Sequence, residues 1–164
     1  MKKRLLLLLC LLVTAGSAAW AEIAHGDCKN GSWVIDDSGK LTLNITGAMA
    51  DYSGTNTVTS AKWGEFWDQI KAIHVGDGCT EIGKCAFKGL EKVTSITGCK
   101  NVTRIHSFAF ECVGNPNMSV TFPSVTRVDE KGFRYCLFAK IVLPVVETTG
   151  SLAFADSPLL LQVD

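Results

Sequence analysis

The sequence predicts a mainly β fold: a short solenoid of about four units of about 23 residues, covered at its start by a β-hairpin. Two observations predict the solenoid. An aliphatic residue precedes, by five positions, a Phe that directly follows a small residue. The pattern occurs at Ile82 with Ala86-Phe87, at Ile105 with Ala109-Phe110 and at Val128 with Gly132-Phe133. A fourth copy is shorter, Gly150-Ser151-Leu152-Ala153-Phe154, and the intervals between the Phe residues are 23, 23 and 21 (110 − 87, 133 − 110, 154 − 133). Short β-type runs also lie between these signatures, at 70–75, 93–97, 120–122, 141–143 and 159–163. The hairpin is predicted by two β-rich runs, 33–35 and 41–45, around Asp37-Ser38-Gly39.

In chain order, residues 1–21 read as a secretory signal peptide. Lys2, Lys3 and Arg4 form a positive start, Leu5 to Val13 a short apolar run, and Ala19-Trp20-Ala21 a cleavage pattern, with cleavage expected after Ala21. That run is shorter than the about 20 apolar residues a membrane span needs, and no later stretch reaches that length. Export to the periplasm, the cell surface or the medium is therefore expected. Residues 22–69 form a capping segment. Its hairpin is followed by a polar Ser- and Thr-rich loop, 53–62, and by Trp63, Phe66, Trp67 and Ile70 at helical spacing. This spacing predicts a short helical turn packed on the first repeat. The alternative is that its aromatics form a sugar-stacking platform, and core packing is favoured over it.

Residues 70–164 hold the repeats. Pro123 and Pro144 each close a β run, because proline lacks the N–H that a ladder uses. A unit of this length cannot bury its own apolar face. Stacking would place Ile82, Ile105 and Val128 in one column and Phe87, Phe110, Phe133 and Phe154 in another.

Composition excludes several classes. The whole chain has 16 basic and 16 acidic residues, and 47% of it is apolar. Without residues 1–21 the balance is 13 − 16 = −3, so no general field draws in DNA or anionic lipid. His25, His74 and His106 lie apart in sequence, and neither G-x-S-x-G nor H-E-x-x-H occurs. His25 and Cys28 make a bare H-x-x-C, and Asp36-Asp37 lacks the spacing of a calcium loop. The expectation is no enzyme, no cofactor and no metal site.

The repeat residues resemble the BspA-like, or Treponema-type, leucine-rich repeats of bacterial secreted and surface proteins. Ile82-Gly83 with Ala86-Phe87 fits that repeat well, and Cys136 fits its Cys position, which Leu90, Val113 and Ser157 occupy in the other copies. Gly114-Asn115-Pro116-Asn117 is an insertion that departs from the pattern. Trp33-Val34-Ile35-Asp36, Leu41-Thr42-Leu43 and Thr46-Gly47-Ala48-Met49 resemble the entry segment of the same proteins. The resemblance implies a leucine-rich-repeat solenoid that binds a protein or glycan ligand, in adhesion or host contact.

In such a solenoid Ile73, Val75, Val93 and Ile96 would point inward. Lys71, His74, Thr94, Thr97 and Thr121 would then form an outward ligand-binding ribbon. Six cysteines follow residue 21. Cys112 and Cys136 fall one position apart once shifted by a repeat, within reach of a disulfide. The other reading is a column of buried thiols, which the inward-facing Cys position implied by the resemblance favours. Cys79 and Cys99 are the next candidate pair. A second role is structural. The last run carries no polar cap, so a structural envelope protein that assembles with another copy or another envelope protein through Leu160 and Val163 is expected of an uncapped end.

Overall fold

The computed structural model describes residues 21–54 and 57–158, with the backbone alone of Gln162–Val163. The signal-peptide segment and Leu160 lie outside the described residues, as does the side chain of Val163.

The chain begins with an antiparallel meander: β1 (Glu22–Cys28), β2 (Gly31–Asp36) and β3 (Lys40–Ile45). The β2–β3 turn is the one predicted. Asp36 Oδ1 accepts the Ser38 and Lys40 N–H groups, both at 3.0 Å, and Gly39 takes φ +82°. These contacts hold the Asp36 carboxyl below its usual range, against the upward push of burial. Strand β1 was not foreseen. Its sequence alternates weakly, and most of its side chains are exposed or half-buried because it is the edge strand.

From β3 onward the chain coils. Strands β4 (Gly47–Ala48), β5 (Ala72–Val75), β6 (Cys79–Ile82), β7 (Ser95–Gly98) and β8 (Arg104–Ile105) come first. Then follow β9 (Ser119–Thr121), β10 (Arg127–Val128), β11 (Lys140–Val142), β12 (Thr148–Thr149) and β13 (Gln162–Val163). Odd strands pair in parallel on one side and even strands in parallel on another. The sheets are ordered β1-β2-β3-β5-β7, β4-β6-β8-β10-β12 and β9-β11-β13. Because β3 pairs with β5 and β4 with β6, the capping hairpin already supplies a rung to each sheet.

The first and third sheets are separate ladders, and the break falls at the predicted insertion. Residues 114–117 turn outward between β8 and β9, with Met118 N–H on the Asn115 carbonyl and Asn117 N–H on Asn115 Oδ1. The extra chain length puts β9 out of ladder with β7.

The core is the set of stacked columns. Ile82, Ile105 and Val128 are register partners and fully buried. The rings of Phe87, Phe110, Phe133 and Phe154 stack at 5.2, 5.2 and 5.6 Å. Trp63 caps this column, 6.3 Å from Phe87, and its indole N–H donates to the Ala86 carbonyl. It sits on a 3-10 helix, Lys62–Phe66, the helical turn expected there. Trp63 and Ile70 are buried and Phe66 is half-buried, whereas Trp67 stays exposed.

The turns that carry the Phe column share one backbone device. The residues two before and two after each Phe have positive φ: Cys85 and Gly89, Phe108 and Cys112, Lys131 and Tyr135, Leu152 and Asp156. Left-handed backbone costs a residue with a Cβ roughly 1–2 kcal/mol. Between coils, hydrogen bonds offset that cost. In the first repeat the N–H groups of Cys85, Phe87 and Gly89 donate to the carbonyls of Ser107, Ala109 and Glu111 one coil on. The same ladder repeats from Phe108, Phe110 and Cys112, and from Lys131, Phe133 and Tyr135.

Candidate ligand-binding face

Side chains alternate across a strand, so burying Ile73 and Val75 of β5 turns Ala72 and His74 outward. Strand register then aligns outward residues from different coils. Thr42, His74 and Thr97 form one row across β3, β5 and β7, and Lys40, Ala72 and Ser95 the next. The His74 ring Nδ1 lies 3.0 Å from Thr97 Oγ1. Thr94 Oγ1 donates to the Lys71 carbonyl at 3.0 Å. Lys71 is exposed at the corner just before β5 rather than within the strand.

The structure therefore brings Lys71, His74, Thr94 and Thr97 together on one face. It adds Thr42 and Ser95, which the sequence reading passed over. Their signal was the alternation of the strands they sit on. Thr121 is separated from them. It is exposed, but on β9, in the sheet beyond the insertion, where its register partner is Val142. The ribbon is thus polar and continuous across β3, β5 and β7 and interrupted before Thr121. Hydroxyls, one imidazole and Lys71 can exchange hydrogen bonds with a ligand laid across the strands.

The second sheet carries a charged network that sequence reasoning missed. His106 Nε2 lies 2.6 Å from Glu81 Oε2, and its Nδ1 is 3.7 Å from Asp129 Oδ2 and 4.0 Å from Asp51 Oδ1. Arg104 reaches Asp129 Oδ2 through Nε at 3.1 Å and Nη2 at 2.8 Å. Arg127 Nε donates to Asp129 Oδ1 at 2.7 Å. Burial pushes the Asp129 carboxyl up, but the hydrogen bonds and charges of Arg127 and Arg104 outweigh it and hold it below the usual range. Glu81 to His106 and Arg104 to Asp129 are both 25 residues apart, one repeat of 23 plus two. That diagonal was legible in the repeat: Glu81, Arg104 and Arg127 precede the aliphatic position, and His106 and Asp129 follow it. Since Asp129 is already engaged by two guanidinium groups and Glu81 by the His106 ring, the network clamps coils together. Among the described residues no group of three or more His, Cys, Asp or Glu side chains could hold a metal ion.

The six described cysteines are free thiols, and the candidate bridge between Cys112 and Cys136 is not formed. Cys112 takes a left-handed turn position, φ +56°, and is half-buried. Cys136 is buried, with Sγ 3.4 Å from Ser157 Oγ. The next coil's Leu137 N–H donates to the Val113 carbonyl, so the inward place in the coil before Cys136 belongs to Val113. Cys79 and Cys99 are also unbridged, and burial pushes their thiols up to about 11 and about 12. Protonated, buried thiols act here as small apolar residues.

A family profile described as BspA type leucine rich repeat region (6 copies) matches residues 65–163. No curated protein matches significantly. Among solved structures, the chain is similar to a leucine-rich repeat protein from Eubacterium ventriosum, with a TM-score of 0.64 and 23% identity. That similarity covers 87% of this chain and 44% of the other, so the chain spans less than half of that protein's length. It is also similar to a leucine-rich repeat protein from T. pallidum, with a TM-score of 0.55 and 19% identity over 84% of this chain and 70% of the other. At these identities the two structures speak for the fold alone.

Proposed function

The chain belongs to the BspA-type leucine-rich repeat family, and from that premise we propose that it is a non-enzymatic, exported binding module. It holds a protein ligand across the outward face of β3, β5 and β7, and it serves adhesion or host contact at the cell surface or in the medium. The observation that carries this reading is the register of Thr42, His74 and Thr97, flanked by Ser95, Thr94 and Lys71. A ladder of hydroxyls with one imidazole and the ammonium groups of Lys40 and Lys71 suits hydrogen bonding to an extended partner surface. Apart from Lys40 and Lys71 its side chains are short, or braced as His74 is by Thr97, so little of their rotamer freedom is lost on docking. Export is supported by the Lys-Lys-Arg start, the apolar run and the Ala-Trp-Ala pattern of residues 1–21.

The test is a screen of the folded and the denatured protein against an array of host matrix proteins. Saturable binding by the folded form alone, reduced at least about tenfold by His74→Glu or Lys71→Glu, is the expected result. Binding that survives both changes would move the ligand off this face. Binding by the denatured chain as well would remove the fold from the explanation. N-terminal sequencing of the exported product checks the location, with Glu22 expected as its first residue.

A further inference from the structure

We propose that the pocket beside Trp67, in the loop leading into the first repeat, is a binding site for a neutral saccharide. It is distinct from the sheet face and does not rest on that reading. The pocket has a volume of about 470 Å³ and opens to solvent. That volume falls within the span of small-ligand sites, roughly 300–1,000 Å³. Its lining includes Ser53, Thr57, Ser60, Gly64, Glu65 and Trp67.

Trp67 is the first reason. Its neighbours Trp33, Tyr52, Trp63 and Phe66 all pack against another ring. Trp67 is 40% exposed and has no ring contact among the described residues, and its indole N–H has no acceptor there. Trp63, four residues earlier, is fully buried, so the same segment does bury indole where the core takes it. An exposed indole lining a cavity can offer a platform for the C–H face of a pyranose ring, whose hydroxyls then project around the rim.

The rim supplies their partners. Glu65 is exposed, and its carboxylate makes no hydrogen bond or ion pair among the described residues. A carboxylate can accept from two vicinal hydroxyls at once. Ser60 Oγ accepts the Ser53 N–H at 2.9 Å, which leaves its own proton to donate, and Thr57 adds a second exposed hydroxyl. The same carboxylate repels anionic sugars and phosphates, which selects a neutral ligand.

The site is also built in advance. Ser60 N–H returns a bond to the Ser53 carbonyl at 2.9 Å and closes the base of the loop. Thr59 N–H donates to the Lys88 carbonyl at 2.9 Å, and Lys88 Nζ donates to the Gly54 carbonyl at 2.9 Å, so the loop is tied to the first repeat. Two glycines permit that docking. A Cβ on Gly64 would lie 2.3 Å from the Thr59 carbonyl oxygen, and one on Gly89 would lie 2.1 Å from that of Thr57. A preformed wall lowers the ordering cost of binding.

The experiment titrates the full chain with maltotriose, mannotriose and triacetylchitotriose, reading tryptophan fluorescence and heat. Saturable binding of at least one sugar is expected, in the range of about 0.1–10 mM. Trp67→Ala should abolish the fluorescence change and weaken binding at least about tenfold, and Glu65→Gln at least about threefold. His74→Glu should leave sugar binding unchanged, which separates this site from the sheet face. Should Trp67→Ala fail to fold by circular dichroism, Glu65→Gln and Trp67→Phe decide instead. The Gln variant must weaken binding, and the Phe variant must retain it within about threefold. The proposal is overturned if no sugar binds saturably below about 50 mM. It is also overturned if binding persists unchanged in the Trp67 and Glu65 variants, or if a proline-rich peptide rather than any sugar occupies Trp67.

Discussion

Replacing Phe110 by Ala tests the stacked column directly. Phe110 is fully buried, with Phe87 at 5.2 Å on one side, Phe133 at 5.2 Å on the other and Phe122 at 5.5 Å. Removing the ring takes a large apolar group from the core and leaves a cavity bounded by three other rings. Neighbours pinned by their own coils cannot collapse into it, so the loss should lie in the usual Phe→Ala range of about 3–5 kcal/mol. At about 2–4 °C per kcal/mol for a chain of this size, the melting temperature should fall by about 6–20 °C. Phe154 is the internal control. It is half-buried, and among the described residues it stacks on Phe133 alone, at 5.6 Å. Its truncation should cost about 0.8–1.5 kcal/mol, half the transfer energy of a fully buried Phe. Both variants would be measured by denaturant unfolding, with the slope checked against the parent so that a change in cooperativity is seen. Equal losses for the two variants, or a Phe110→Ala loss below about 2 kcal/mol, would refute a stability built from nearest-neighbour stacking.

Other predictions concern the charge network, the thiols and the turns. Asp129→Asn should lower stability at neutral pH by about 1–2 kcal/mol, because two guanidinium groups lose a charged acceptor. The folded-state value of Asp129 is depressed, so its contribution is present above the unfolded carboxyl value and is lost as pH falls through the lower folded one. Denaturation curves of parent and variant should therefore converge in acid, and a gap that stays constant into acid would count against this. Thiol alkylation of the folded protein, followed by peptide mass spectrometry, should label the half-buried Cys28 and Cys112 well before the buried Cys79, Cys99 and Cys136. Equal labelling rates would mean that the coils open locally. Leu152→Gly should be neutral or stabilising by up to about 1 kcal/mol, because Leu152 is 53% exposed and holds φ +57°. A clear loss there would show that this side chain contributes more than its exposure implies.

Much of the architecture could be read from residue order alone. A strict interval between Phe residues, each after a small residue, leaves stacking as the only way to bury the apolar positions. The columns of Ile82, Ile105 and Val128, and of Phe87, Phe110, Phe133 and Phe154, follow from that arithmetic. Asp37-Ser38-Gly39 marked the hairpin turn, and the spacing of Trp63 and Ile70 marked a helical turn under the first repeat. The outward placing of His74 and Thr97 was legible because strand alternation has a period of two, whereas Lys71 and Thr94 lie just before their strands and are exposed at the corners.

Tertiary structure decided what depends on distances between coils. The insertion at 114–117 was visible, but only the register shows that it splits a sheet and strands Thr121 away from Thr97. Cys112 and Cys136 were neighbours by counting. Cys112 takes a left-handed turn position and is half-buried, whereas Cys136 lies in the core. Seven of the eight left-handed positions carry side chains rather than glycine, so no residue type announced them; in the first three turns their N–H groups donate to the next coil, which holds them. Trp63 and Trp67 are the same residue type four positions apart, yet one caps the Phe column and the other faces a pocket. That difference is set by what lies beside each ring: Phe87 under Trp63, and under Trp67 a loop of hydroxyls tied down by the first repeat. Periodicity is local information carried along the chain, whereas exposure and pairing belong to the packed neighbours a coil acquires after it closes.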